Sequence, residues 1–224
     1  MSAAPSRPDL ADLRARYLAA QLSGDRREAL RVVIREGLER GVSVRDLSDE
    51  VIGEAQREIG ARWQRNEITI ADEHMATAIS NLVLAQLYER AAPAARNGKK
   101  ILVACVEGEL HELPARVVAD ALDLAGFSVR YLGASVPADS LLEMIETHRP
   151  DLVALSTTMT FHITALRAVV QRIRETPDGR LPIAVGGAAC AWSPRLGEEL
   201  GVDIVANDAP GLVEAAKRHF GVDS

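Results

Sequence analysis

The apolar residues of this chain change period near residue 95, and a fold of one layer type cannot satisfy both periods. Up to about residue 91 they recur three and four positions apart, which predicts helices with one buried stripe. The first helix is expected from roughly Asp9 to Leu22, with Leu10, Leu13 and Tyr17 on its stripe. The second starts after Asp25, with Glu28 three residues on, and carries Ala29, Leu30, Val33, Ile34 and Leu38 until Gly41 stops it. The third opens at Ser43 with Asp46 in the box position, and its stripe Val44, Leu47, Val51, Ala55, Ile59 runs on to Trp63. The fourth, capped by Thr69 with Asp72, continues to about Ala91. Short connections between helices of this length predict an antiparallel four-helix bundle over residues 9–91, behind a flexible N-terminus at 1–8.

Residues 92–98, rich in Ala with one Pro and one Gly, break the period and read as a linker. Beyond them, Ile101 to Val106, Ser128 to Leu132, Leu152 to Leu155, Ile183 to Val185 and Ile204 to Ala206 read as strands. Helical stretches start near Pro114, Pro137, Thr164, Pro194 and Pro210. Such alternation predicts an α/β domain over 99–224, a doubly wound parallel sheet of five strands in the flavodoxin-like, Rossmann-like order. Ligands of such sheets bind at the carboxyl ends of the strands.

Charge narrows the function classes. The 26 Lys and Arg against 32 Asp and Glu give a net charge of −6, which favours neither nucleic acid nor an anionic membrane surface. Eight residues ahead of the first helix are too few for a helix-turn-helix, and no apolar run reaches the roughly 18 residues of a membrane span. Met1 to Pro8 has no signal-peptide core, so a cytoplasmic protein is expected. Cys105 and Cys190 are too few for a disulfide framework and adjoin apolar runs, as core residues do.

Three of the strand-end loops carry chemistry. After the first strand, Gly108-Glu109-Leu110-His111-Glu112-Leu113-Pro114 offers an imidazole with a carboxylate two residues away, able to hold one ring proton while the other nitrogen binds a metal. After the third, Ser156-Thr157-Thr158-Met159-Thr160 offers hydroxyls to a polar ligand or to the local backbone. After the fourth, Gly186-Gly187 either lets a bulky ligand approach the backbone or simply makes a turn.

Glu-x-His-x-x-Pro, 41 residues (115–155), Ser-x-Thr, 27 residues (159–185) and Gly-Gly together resemble the Asp-x-His-x-x-Gly, Ser-x-Leu, Gly-Gly signature of cobalamin-binding Rossmann-like domains. A preceding four-helix bundle is the usual companion of their methionine-synthase-like branch. The resemblance implies that His111 is the lower cobalt ligand and Glu109 its orienting partner. It further implies that Gly108, Leu110, Glu112 and Pro114 of the same loop are cofactor-binding, and that Ser156, Thr158, Thr160, Gly186 and Gly187 line the pocket of the cofactor's nucleotide tail. Pro114 in place of the family glycine implies a stiffer loop, and Thr158 in place of leucine a different tail packing.

Trp63, nine residues and then Glu73-His74 resembles the Trp-x9-Glu-His motif of the CarH-type cobalamin photoreceptors. That resemblance implies a bundle capping the upper corrin face. Its aromatic wall would be Trp63, its carboxylate Glu73, and its second imidazole His74, taking the upper cobalt position after light. His74, Ala78 and Leu82 share one stripe, so His74 is expected to face inward, as is Trp63. The implied function is a light sensor rather than an enzyme, binding adenosylcobalamin and signalling through a light-dependent homo-oligomer or an effector protein. The photocobilin subgroup lacking the DNA-binding domain suggests biliverdin as a second chromophore, faced by Phe161 and His162. The competing reading is a corrinoid methyl carrier for methyltransferases. A signalling receiver ranks last, because no lysine lies between Lys100 and Lys217.

Overall fold

A computed structural model describes residues 8–177 and 179–222, so most of the segment 1–8 expected to be flexible lies outside the described residues. The chain divides into two compact units, 1–91 and 92–224. The first is all helix: α1 (Leu10–Leu22), α2 (Arg26–Leu30), α3 (Val44–Asp46), α4 (Glu54–Gln64) and α5 (Ile70–Arg90). Wider π-type turns at Arg31–Gly37 and Leu47–Gly53 prolong α2 and join α3 to α4, leaving four helical rods. Side-chain caps start them as the sequence suggests: Asp9 accepts from the Ala11 N–H, Asp25 from Arg27 and Glu28, and Ser43 from Asp46. The reciprocal capping box forms at Thr69 and Asp72.

The core of this unit is apolar apart from one seam. Leu13, Val33, Leu47, Val51, Ile59, Ile79 and Val83 are buried, each worth roughly 1.5–3 kcal/mol of removed apolar surface. Among them lie Tyr17, Gln21 and Ser80, polar and fully buried. The α5 stripe that faces this core is Ala76, Ile79, Ser80, Val83, Leu84 and Leu87. The expected inward stripe is therefore corrected: His74, Ala78 and Leu82 point away from the core, and Trp63 is 36% exposed.

The second unit holds β1 (Lys100–Cys105), β2 (Ser128–Tyr131), β3 (Leu152–Ser156), β4 (Ile183–Gly186) and β5 (Ile204–Ala206), all parallel in the order β2-β1-β3-β4-β5. The connecting helices are α6 (Glu112–Leu124), α7 (Ala138–His148), α8 (Ile163–Arg174), the short α9 (Ala188–Ala191) and α10 (Leu196–Leu200), and α11 (Ala209–Phe220). One apolar layer packs on each face of the sheet, around Leu102, Leu155 and Ile183 on one side and Ile101, Val103 and Phe127 on the other. The expected helix near Pro194 is α10, and a second short helix that the sequence pattern does not announce, α9, starts directly after Gly187.

Residues 92–98 are not a free tether. The Ala94 N–H donates to the Leu124 carbonyl at 2.8 Å, the Asn97 N–H donates to Gly126 at 3.0 Å, and Arg96 pairs with Asp123, which pins the segment onto the α6–β2 turn. Among the described residues no helix is long and apolar enough to cross a membrane.

Candidate functional site

The parallel register sets Cys105 beside Ser156, Ser156 beside Gly186 and Gly186 beside Ala206. The strand order reverses between β1 and β3, so the loops leaving these strands splay apart there and open a crevice. Into it the β1 loop sends Glu109, fully buried, and His111, whose side chain is 45% exposed.

Glu109 is the hub. One carboxylate oxygen accepts from the His111 ring Nδ1 at 2.5 Å and from the His111 backbone N–H at 3.0 Å. The other accepts from the Thr158 and Met159 N–H groups at 2.8 and 2.9 Å and from the His162 Nδ1 at 3.1 Å. Burial alone pushes its carboxyl pKa up. The hydrogen bonds from the His111 ring, the Met159 and His111 backbone and His162 outweigh that and hold it well below the usual carboxylate range. Because a carboxylate can only accept, His111 must carry a proton on Nδ1, so that in the neutral ring Nε2 is the lone-pair nitrogen able to bind a metal.

Replacing Glu109 with glutamine puts an NH2 where only donors converge. Glu109→Gln is expected to cost about 2–4 kcal/mol in denaturant unfolding of the cofactor-free protein. A variant with wild-type stability would show that the buried hub is not what holds these loops.

His162 is a site residue that sequence reasoning placed elsewhere. It ends the 3-10 turn Thr160–His162, its side chain is 16% exposed, and a Cβ on Gly108 would lie 3.1 Å from its Nε2. Its ring therefore turns toward Glu109 and Gly108. Phe161 beside it is 67% exposed, with its ring edge-on to His162.

The other expected residues divide by role. Glu112 and Pro114 lie in the first turn of α6, where proline costs no helical hydrogen bond, and Leu110 is 72% exposed. The Ser156 hydroxyl is nearly buried, Thr160 is exposed, and the buried Thr158 Oγ1 has no hydrogen-bond partner among the described residues. A Cβ on Gly186 would sit 2.7 Å from the Ala206 carbonyl, and Gly187, at φ +100°, packs against the Thr157 carbonyl. Gly187→Ala combines strained backbone with that collision. Thermal melting should show a loss of about 2–4 kcal/mol, and a stable variant would mean that the β3–β4 edge can relax. Burial pushes the Cys105 thiol up to about 12 and Cys190 to about 11, so both behave as inert core residues. Sequence reading also missed Trp192, 64% exposed at the end of α9.

In the helical unit Trp63, Ile70, Met75 and Leu82 are exposed apolar side chains on α4 and α5. Glu73 and His74 stand on α5, the His74 Nδ1 lying 2.6 Å from a Glu73 oxygen with the ring 71% exposed. His74 thus repeats the arrangement of His111: a carboxylate stands at Nδ1, so that in the neutral ring Nε2 carries the lone pair.

Known proteins resemble this chain in sequence and in fold. The chain is 34% identical over 158 residues to the HTH-type transcriptional repressor CarH of Myxococcus xanthus, an alignment covering 70% of this chain and 52% of that protein. It therefore spans about half the length of that relative. It is 25% identical over 178 residues to the dimethylamine corrinoid protein of Methanosarcina barkeri, covering 77% of this chain and 81% of that one. The fold matches the structure of the M. barkeri monomethylamine corrinoid protein with a TM-score of 0.78 at 22% identity, over 96% of this chain and all of the other. A B12 binding domain family matches residues 13–88, and another B12 binding domain family matches residues 99–217. The latter takes in more than half of the residues, and the chain belongs to this B12-binding family.

Proposed function

We propose that this protein is a light sensor that binds adenosylcobalamin, with His111 as the lower cobalt ligand and the α4–α5 face of the helical unit as the cap over the adenosyl group. The observation that carries the reading is the pair of carboxylate-backed histidines, one on each unit, with exposed apolar side chains, Trp63 among them, on α4 and α5 of the helical unit. The sheet unit fits a corrinoid: a half-exposed imidazole whose Nδ1 faces a carboxylate, a buried hydroxyl at Thr158 with no hydrogen-bond partner among the described residues, and glycines at the end of β4. Adenosylcobalamin supplies the photochemistry, since it absorbs visible light and its cobalt–carbon bond then breaks.

The residues do the rest. Glu109 keeps His111 in the metal-binding tautomer, Trp63 gives the adenosyl group an aromatic wall, Glu73 offers it a hydrogen-bond acceptor, and His74 stands ready as a second imidazole. The signal leaves through a change in self-association or through an effector protein. Biliverdin remains part of the proposal as a second chromophore, with Phe161, exposed just beyond β3, as the aromatic offered to it.

The test is the absorption spectrum of the protein reconstituted with adenosylcobalamin in darkness and again after green light, with size-exclusion chromatography of both states. A histidine-ligated dark spectrum that changes irreversibly on illumination, with a shift in elution, is the expected result. A spectrum insensitive to green light sinks the sensor. The second reading, a corrinoid methyl carrier, draws on the dimethylamine corrinoid relative. It requires methylcobalamin to bind at least as well as the adenosyl form.

A further inference from the structure

Five polar side chains in the helical unit form one hydrogen-bonded line that ends on Glu73. The Tyr17 hydroxyl lies 2.9 Å from Ser80 Oγ, and Ser80 Oγ donates to Gln56 Oε1 at 3.2 Å. Gln56 Nε2 donates to Thr77 Oγ1 at 2.9 Å, and Thr77 Oγ1 donates to a Glu73 oxygen at 2.8 Å. The other Glu73 oxygen faces His74 Nδ1. Gln21, fully buried, braces the middle by donating to Gln56 Oε1 at 2.6 Å and to Ser80 Oγ at 3.0 Å.

The direction of every donor in the line follows from its end. A carboxylate accepts only, so Thr77 must donate to it, and its oxygen lone pair is then turned to the Gln56 NH2. That fixes the Gln56 amide with its oxygen toward Ser80 and Gln21, and Ser80, having donated, receives from Tyr17. Helices α1, α4 and α5 each contribute, and Tyr17 and Ser80 are shielded from water. Burial pushes the Tyr17 hydroxyl pKa up more than its bond to Ser80 lowers it, so it remains a donor.

We infer that Gln56 and Thr77 are positioning residues that orient Glu73 and, through it, hold His74 with its proton on Nδ1 and its lone pair on the solvent-facing Nε2. The core of the helical unit thus sets the tautomer of an exposed side chain. This rests on the reading above only in giving that tautomer a use, because an Nε2 lone pair is what a second cobalt ligand needs. Free neutral imidazole in water prefers the opposite tautomer, with the proton on Nε2, so an imposed Nδ1–H form is a readable signature.

The test is ring-nitrogen NMR of the cofactor-free protein labelled with 15N-histidine at pH 8, with His74 assigned by loss of its signals in His74→Gln. In the wild type His74 should show the Nδ1–H pattern. In Thr77→Val, which keeps the shape and removes the hydroxyl, the pattern should shift toward Nε2–H, and Thr77→Ser should restore it. Gln56→Met provides a second break in the line if the valine variant does not fold. A folded Thr77→Val or Gln56→Met whose His74 pattern matches the wild type overturns the inference. If the tautomer shifts as stated yet the illuminated wild type gains no second histidine ligand, the positioning stands and the ligand role of His74 falls.

Discussion

His111→Ala should remove the histidine-ligated cobalamin spectrum and weaken cobalamin binding by well over tenfold. Loss of an orienting partner alone typically costs a metal site about 10–100-fold, and here the ligand itself is removed. The effect is specific because the neighbouring rings are differently committed. The His162 ring is spent on the second oxygen of Glu109, and with its side chain 16% exposed it cannot take over a ligand position without breaking the hub. Titration of the variant with hydroxocobalamin, followed by absorbance, measures both the affinity and the ligand. Retention of a histidine-ligated spectrum would falsify the assignment of His111. Glu109→Gln should shift affinity in the same direction by less, since His111 remains but loses its fixed tautomer.

How far the site was legible depends on the range of the contacts that build it. Glu109 and His111 lie two residues apart, and their pairing follows from one turn of backbone, so the sequence pattern sufficed. His162 reaches the same carboxylate from 53 residues away. Only the register that sets Cys105 beside Ser156 brings it there, and no local pattern encodes that step. The helix caps at Asp9, Asp25, Ser43 and Thr69 are local in the same sense and form where the sequence suggests.

The face of α5 was misread for a different reason. His74, Ala78 and Leu82 recur at the spacing of a core stripe, and so do Ala76, Ser80, Val83 and Leu87 on the opposite side of the helix. A face that is apolar enough to cover a flat ligand has the same composition as one that covers a neighbouring helix. The Ser80 hydroxyl, which looks misplaced in a core, is in place because Tyr17 and Gln21 meet it from α1. Residues 92–98 read as a linker from their composition, whereas their backbone hydrogen bonds to the α6–β2 turn depend on a partner almost thirty residues away.

The largest effects in the helical unit should come from Trp63 and His74, and they separate the sensor from the methyl carrier. Trp63 is 36% exposed at the end of α4, so its indole does not hold the unit together as a core residue would. Trp63→Ala should therefore leave the helical unit folded, by circular dichroism, while cutting the preference for adenosylcobalamin over methylcobalamin about tenfold or more, as loss of a buried aromatic contact of ~1.5–3 kcal/mol implies. His74→Ala should leave dark binding nearly unchanged, because its ring is 71% exposed and bonded to Glu73 on the same helix. It should instead prevent a stable bis-histidine species after light, since a neutral imidazole is the donor able to replace the lost carbon ligand from above. A methyl carrier requires neither result: its His74 variant responds to light as the wild type does, and methylcobalamin binds at least as tightly as the adenosyl form. The deciding comparison is the illuminated spectrum of the wild type against that of His74→Ala. A wild-type product without a second histidine ligand removes the role assigned to His74, and an unaltered cofactor preference in Trp63→Ala removes the cap.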